Sequence, residues 1–572
     1  MIPGRNESYT EILQALDIQQ PGALLIVVGG AKNMDGAMKD RLHLLFSKGI
    51  AATAAEVDAM IIDGGTRAGV MEMMGQGVAE QERQTMLLGI APEAKVGYQV
   101  QPATEASNGK TQLDPNHSHF VLVRGSNWGD ETETMFGLAE ELAQQVPVVM
   151  VLAGGGDIAK QEVLQSVLYG WPVVVLTGSD QLADDIARWW QQKSKRPSFI
   201  RKAFQSIGIP LNTPDTDLTE IIESGDIYLF SQNAGELRSL LKYLFLKQEK
   251  KTLAEIKERE TRSSVMAAEY QITFRRLQSW IIVLGVVAVA LAVAQIQMES
   301  LGWLKANTIW DGLFHFFVVL VPIIVTVLLG ITTYFKWGDK WVTLRNSREA
   351  LKQEIYRYRT HTGIYEEKST VEDPSQAQKS AEQKLIEQVK IITQRLMQTE
   401  VSLSAPPSYI APRIPKLGAT DEDDGFSDLT ADRYIRFRLD DQLSFYRRRA
   451  AGLDRKLKIC QTLVIIASGT AALLAAIQFE LWLPLATALG AAFALYLEYM
   501  QVANTLTRYN QAATSLEDVK QWWMAEPESE KQQPESFSKL VEATEKILEG
   551  EHESWIQNMH NTLDKLYKKA SS

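Results

Sequence analysis

The hydrophobic pattern splits the chain into two parts with different periods. From about Ile18 to Trp190, short apolar runs alternate with mixed segments at helical spacing. The runs are ALLIVVGG (Ala23–Gly30), AMIIDGG (Ala59–Gly65), TMLLGI (Thr85–Ile90), FVLVRG (Phe120–Gly125), PVVMVLAGGG (Pro147–Gly156) and PVVVLTGS (Pro172–Ser179). Most are near-continuous rather than alternating, as in parallel strands covered on both faces. Glu131–Gln145, Ile158–Tyr169 and Gln181–Gln192 read as helices between them. Repeated strand–glycine–helix units predict a doubly wound, mostly parallel α/β sheet of Rossmann-like class. A further strand, DIYLF (Asp226–Phe230), and a helix extend this part to about Leu246.

The second part carries four much longer apolar stretches, Trp280–Ile296, Leu313–Phe335, Ile459–Phe479 and Leu481–Met500. Each is long enough to cross a bilayer, and they come as two closely spaced pairs. Basic residues flank the pairs on one side only. Arg275, Arg276, Lys336, Lys340, Arg345 and Arg348 surround the first pair, and Arg447, Arg448, Arg449, Arg455, Lys456, Lys458 and Arg508 the second. The connecting loops hold a single Lys305. Retention of positive charge on the cytoplasmic side then places the soluble parts and both termini inside.

The two pairs also read as an internal duplication. EYQITFRRLQSW (Glu269–Trp280) parallels QLSFYRRRAAGLDRKL (Gln442–Leu457) ahead of the spans, and Trp341–Tyr365 parallels Ala503–Trp523 after them. The expected organisation is an α/β domain over 1–247 and a first two-span domain over 248–365. A helix and Pro-rich acidic linker over 366–428 then lead to a second two-span domain over 429–572.

Composition refines this picture. The 572 residues carry a net charge of −11. That balance argues against a general nucleic-acid binder, which shows a basic face. The single cysteine, Cys460, excludes an intramolecular disulfide. No early stretch has the form of a cleaved signal peptide, so the α/β part is expected to stay in the cytosol. A mean hydropathy of −0.13 averages a polar majority with a few intensely apolar runs.

The glycines at the strand ends carry the candidate chemistry. A strand that ends in Gly-Gly and feeds a helix exposes backbone N–H groups suited to an anion, typically a phosphate. Gly64, Gly65, Thr66 and Gly69 fit that role, with Arg67 as a pairing cation and Asp63 as a partner for a ribose hydroxyl. The same glycines also serve simply to turn the chain. The pattern recurs at Gly29–Gly30, Gly125, Gly154–Gly156 and Gly178, all at strand carboxyl ends, the edge where open α/β sheets bind ligands. Ser179 follows the last of these. In SNWGDET, Trp128 is a candidate base-stacking residue, and Asp130 or Glu131 a polar contact; helix capping by Asp130 is the alternative. No G-x-G-x-x-G follows the first strand, and no G-x-x-x-x-G-K-[ST] occurs, so neither a standard NAD-dependent dehydrogenase nor a P-loop NTPase is supported. His117 and His119 alternate onto one face but lack a third ligand at a recognised spacing, so no metal site is expected. Within the spans, His315, Pro322 and Glu498 are the polar or irregular positions, each weighed as a gating feature against snorkelling or packing.

The ordered set LLIVVGGA, IIDGGTRAGVMEMMG, LDPNHSHFVLVRGSNWGDET, VLAGGGDIAKQE and VLTGSDQLADDIA resembles the prokaryotic SLOG domain related to the N-terminal region of TRP melastatin channels. The tandem hairpins resemble SLATT domains, two-transmembrane effectors associated with SLOG and SMODS proteins in bacterial conflict systems. The resemblance implies a cytosolic sensor of a nucleotide-derived ligand, ADP-ribose- or NAD-like or a cyclic nucleotide. It further implies control of a pore-forming homo-oligomer, with a tetramer as one form, in a bacterial inner membrane. No other cofactor is implied. By motif match, Gly29, Gly30, Asp63, Gly64, Gly65, Thr66, Gly69, Gly154, Gly155, Gly156, Gly178 and Ser179 become the candidate contacts. LONELY GUY-type SLOG enzymes instead cleave a nucleotide with a glutamate after Gly-Gly-x-Gly-Thr. Here the turn lacks one glycine and Gly69 stands near the expected acid, which favours sensing. Glu72 and Glu131 remain the candidates for a membrane-anchored hydrolase, and a non-gating membrane scaffold is the third reading.

Overall fold

A computed structural model describes the chain except residues 5–6, 31–35, 82–84, 98–109, 196–214, 232, 302–308, 367–373, 405–422 and 572. Lys305, most of the Pro-rich linker and most of the GGAKNMDG stretch lie outside the described residues. The chain divides into two units, 1–251 with 411–426, and 252–410 with 427–572.

The strands of the first unit are β1 (Ala23–Gly29), β2 (Ala59–Asp63), β3 (Leu87–Pro92), β4 (Val96–Gly97), β5 (Thr111–Gln112), β6 (His119–Val123), β7 (Val148–Ala153), β8 (Val173–Leu176) and β9 (Ile227–Phe230). Among the described residues, seven form one sheet in the order β6-β3-β2-β1-β7-β8-β9, every pair parallel. The pleat of β1 sends Leu24, Ile26 and Val28 into one apolar cluster and Ala23, Leu25 and Val27 into the other. A strand apolar at both parities is what two covered faces require. β3 starts at Leu87, two residues later than the run from Thr85 implied, and it also ends later, with Ala91 and Pro92 paired to Leu122 and Val123. From the stretch read as linker, Phe426 is buried and its ring lies 5.5 Å from that of Tyr243.

The second unit is helical. Among the described residues, four helices are long and apolar enough to cross a membrane. The first runs from Lys251 to Ser300 without a break. At 1.5 Å per residue that is about 75 Å, far more than a bilayer core needs, so its polar half stands clear of the lipid. Ile465 is 71% exposed and Leu473 61%. Isoleucine and leucine so open along four helices have no place in water, and the chain is a membrane protein. In the second pair, helices Asp440–Ala476 and Leu483–Tyr499 meet closely, and a Cβ at Gly490 would stand 3.4 Å from that of Ala467. The duplication has a backbone echo. Each pair hands over to a polar helix, Trp337–Arg359 or Val502–Ala525, through one left-handed residue, Lys336 (φ 48°) or Gln501 (φ 49°). The C-terminal helix, Pro534–Ser571, supplies Leu548, Trp555, Met559 and Leu563 to the apolar clusters of both polar helices.

Candidate functional site

Strand order places a switch point between β1 and β7. From β1 the sheet grows through β2, β3 and β6 on one side, and through β7, β8 and β9 on the other. Helices diverge at such a point and leave a crevice beyond the strands' carboxyl ends. Gly29 pairs with Ala153 there, and the Gly30 N–H donates to the Ala153 carbonyl at 3.2 Å. A Cβ on Gly30 would stand 3.2 Å from the Gly155 nitrogen and 3.3 Å from Gln181 Oε1, so the two loops nearly touch. Gly154 and Gly155 adopt φ of 67° and 100°, a region closed to most side chains. The Gly154 N–H donates to Ser179 Oγ at 2.8 Å, and that hydroxyl donates to the Leu176 carbonyl, which fastens the β7 turn to the β8 turn. Gly156 is different. It precedes helix Asp157–Leu168 with no side-chain cap, and a Cβ there would meet nothing within 4 Å.

The turn after β8 is closed on itself. The Gly178 and Asp180 N–H groups both donate to the Asp184 carboxylate, at 2.6 and 3.1 Å. Arg41 Nη2 donates to the Thr177 carbonyl at 2.8 Å, setting a guanidinium beside Gly178. Sequence reasoning missed Arg41. Its only signal is a basic residue on the helix that follows the first glycine turn.

The turn after β2 corrects an expectation. Asp63, expected to meet a ribose hydroxyl, is fully buried. Its Oδ1 accepts the Gly65 N–H at 2.7 Å and faces His117 Nε2 at 2.7 Å, and His117 Nδ1 lies 2.9 Å from Asp114 Oδ2. Burial alone would lower the imidazole pKa, but Asp63 and Asp114 outweigh it and raise it to about 9. Segment 111–114 crosses the turn, bridging Leu113 to Thr66, while the Arg67 N–H donates to the Gln112 carbonyl and the Asp114 N–H to the Gly65 carbonyl. Gly65 and Thr66 are therefore walled in by the chain itself, and Gly64 is half-buried beside them. Arg67 Nε is 3.8 Å from Glu72 Oε1, an exposed pair of little energetic weight. Gly69, at φ 58°, opens helix Gly69–Ala79.

The SNWGDET loop follows β6. Trp128 is 40% exposed. Asp130 Oδ2 accepts the Ser126 and Asn127 N–H groups, so this side chain shapes the loop. Glu131 is buried, accepts the Gly129 N–H at 2.7 Å, and has its pKa raised by burial. Burial and the neighbouring Glu131 push Glu162 up to about 8. His119 turns to Ser118 Oγ instead of joining His117. In the spans, His315, Pro322 and Glu498 are exposed on their helices, and Thr326 Oγ1 donates to the Pro322 carbonyl one turn back.

Residues 22–236 match the family model described as SLOG in TRPM, prokaryote. The first unit carries a SLOG domain. Residues 434–555 match the SMODS and SLOG-associating 2TM effector domain 1, so the second hairpin carries a SLATT domain. Residues 261–373, which hold the first hairpin, match a second model, described as a protein of unknown function (DUF4231). The SLOG region is 29% identical over 213 residues to transient receptor potential cation channel subfamily M member 2 of Rattus norvegicus, covering 32% of this chain and 14% of the channel. It is also 29% identical over 232 residues to the subfamily M member-like 2 channel of Nematostella vectensis, covering 33% and 14%. Among solved structures, the molybdenum cofactor carrier protein of Chlamydomonas reinhardtii aligns at 16% identity with a TM-score of 0.22, covering 39% of this chain and 97% of that one.

Proposed function

We propose that the chain is a ligand-gated membrane effector. Its SLOG domain takes a nucleotide-derived anion of ADP-ribose-like, NAD-like or cyclic-nucleotide chemistry into the crevice between β1 and β7. Binding shifts a homo-oligomer, with a tetramer as the working number, toward a pore-forming or membrane-perturbing arrangement. Four spans per chain are too few to enclose a pore alone, hence the oligomer. The basic flanks of the hairpins favour an orientation with the SLOG domain and both termini in the cytoplasm, and the resemblance to bacterial SLATT effectors makes the inner membrane the expected location. The observation that carries this reading is Gly156, uncapped and uncovered one residue past Gly155, which lies against Gly30 at the switch point. The channel relatives are matched over 14% of their length, so ion conduction by this chain belongs to the proposal.

A ligand moves such an equilibrium only by binding one arrangement better than the other. The test is ion flux from liposomes holding the full chain, with saturating ADP-ribose, NAD or cyclic nucleotides added on the SLOG side. Flux that rises with one of them supports gating; binding with neither flux nor a change of oligomeric state rejects it. A hydrolase is the second reading, favoured by the buried Glu131 beside a carboxyl as reluctant to ionise as Glu162. Turnover of NAD or a nucleoside monophosphate that disappears in Glu131→Gln would select it.

A further inference from the structure

The second unit holds a half-open cavity of about 690 Å³ where the spans pass into the polar helices. Arg275 stands just before the first span, Lys456 just before the third and Tyr499 at the end of the fourth, and all three line it. Eight basic side chains and three acidic ones share the wall. Aromatic rings fill part of the rest, with the Arg345 guanidinium 3.9 Å from the centre of the Trp555 ring.

One of the basic groups is deeply buried. Arg438 is 1% exposed and sits in a π-helical turn, Ile435–Leu439, a local form often found at functional sites. Its Nε and Nη2 donate to the two Glu545 oxygens at 2.8 and 2.6 Å. Its Nη1 has no hydrogen-bond partner among the described residues. His552, also buried on the wall, leaves Nε2 unpartnered in the same way. Burial and the neighbouring Arg345 lower its pKa to about 4, so at neutral pH it offers a hydrogen bond and no charge.

A buried guanidinium with a spare donor, in a wall of excess positive charge and low dielectric, is built for an anion with several oxygens. We propose that this cavity binds a phosphate group, presented by an anionic lipid headgroup or by a free phosphorylated solute, with Arg438 Nη1 as its anchor. Lys352, Arg448 and Arg449 supply the surrounding positive charge. This site is separate from the SLOG crevice and does not depend on what that crevice binds.

The experiment uses the full chain in detergent with two probes. Native mass spectrometry after exposure to equal phosphatidylglycerol and phosphatidylcholine reads the lipid arm; a thermal shift with inorganic pyrophosphate reads the soluble arm. Selective retention of phosphatidylglycerol assigns a headgroup, and a saturable pyrophosphate shift assigns a free phosphate. Lys352→Gln with Arg449→Gln weakens whichever binds by about tenfold, the loss of one charge-assisted contact or more. Arg438→Met with Glu545→Met removes the buried pair together, so no charge is orphaned, and it abolishes binding. Circular dichroism checks that both variants keep their helices. If the wild-type chain retains neither probe, or if folded variants bind as it does, the proposal is wrong.

Discussion

Two turns on one sheet rim look alike in composition and differ in use. Both the β2 turn (Gly64–Gly69) and the β7 turn (Gly154–Gly156) end a buried strand and lead into a helix. Both hold left-handed glycines, Gly65 and Gly69 in one, Gly154 and Gly155 in the other. In the β2 turn the Gly65 amide goes to Asp63, the Arg67 amide to Gln112, and segment 111–114 lies across the rest. In the β7 turn one amide goes to Ser179 and Gly156 stays uncovered. Glycine thus reports the backbone conformation a turn needs. Whether the amides remain free depends on what the rest of the chain brings to them.

The largest expected effect falls on the closed turn. His117 holds two buried carboxylates, and removing it takes away the imidazole that both of them face. His117→Ala should destabilise the SLOG domain by about 3–5 kcal/mol, the usual cost of orphaning a buried charge. Hydrogen exchange of β2 and β3 in the full chain measures it, and unchanged protection would show that the network is not what closes the turn. The pH dependence carries a sign. The folded imidazole has its pKa raised to about 9 from an ordinary 6.5. Its contribution is therefore complete below pH 6.5 and fades as pH rises through 9, a slope the alanine variant should lack.

Next is Gly65→Ala. A Cβ there would sit 2.7 Å from the Gly89 Cα, at φ 63°, so the change meets both a backbone wall and a left-handed conformation. A loss of about 2–4 kcal/mol is expected from the sum of those two costs, read by the same exchange experiment. Glu162→Gln should act in the opposite direction. Burial and Glu131 raise this carboxyl to about 8, so the wild-type domain loses stability as pH climbs from about 4.5 toward 8. The glutamine variant escapes that loss and gains on the order of 1–3 kcal/mol at pH 7. A wild-type stability profile flat over that range would contradict the assignment.

The architecture was open to reading because it rests on local periodicity. Runs such as Leu24–Val28 are what a strand covered on both faces requires, and apolar stretches as long as Ile459–Phe479 are unusual in a soluble core. The hairpin duplication showed in paired aromatic–basic approaches and has its counterpart in Lys336 and Gln501. What sequence reasoning missed depends on distant partners. Asp63 reads as a partner for a ribose hydroxyl because nothing near it in sequence announces His117, 54 positions on. Arg41 meets Thr177 across 136 positions, and Arg438 meets Glu545 across 107. No spacing rule links such pairs, since the fold alone sets their distance.

The smallest effect on stability gives the sharpest test of the two turns. Gly156 has an extended backbone, φ −109° and ψ −151°, and a Cβ there would meet nothing within 4 Å. Gly156→Ala should therefore leave stability within about 0.5 kcal/mol of wild type. A methyl group in the path of a phosphate nonetheless blocks close approach to the helix amides, and ligand affinity should fall about tenfold. Gly64→Ala is the matched control. Its Cβ would meet Met71 Cε at 3.0 Å, the flexible end of a side chain that has room to yield, so stability and affinity should both hold. Equilibrium binding of an ADP-ribose-type ligand to the two full-length variants decides between the turns. Should the Gly64 variant lose affinity while the Gly156 variant keeps it, the ligand sits at β2 and displaces segment 111–114, and the roles assigned to the turns are reversed.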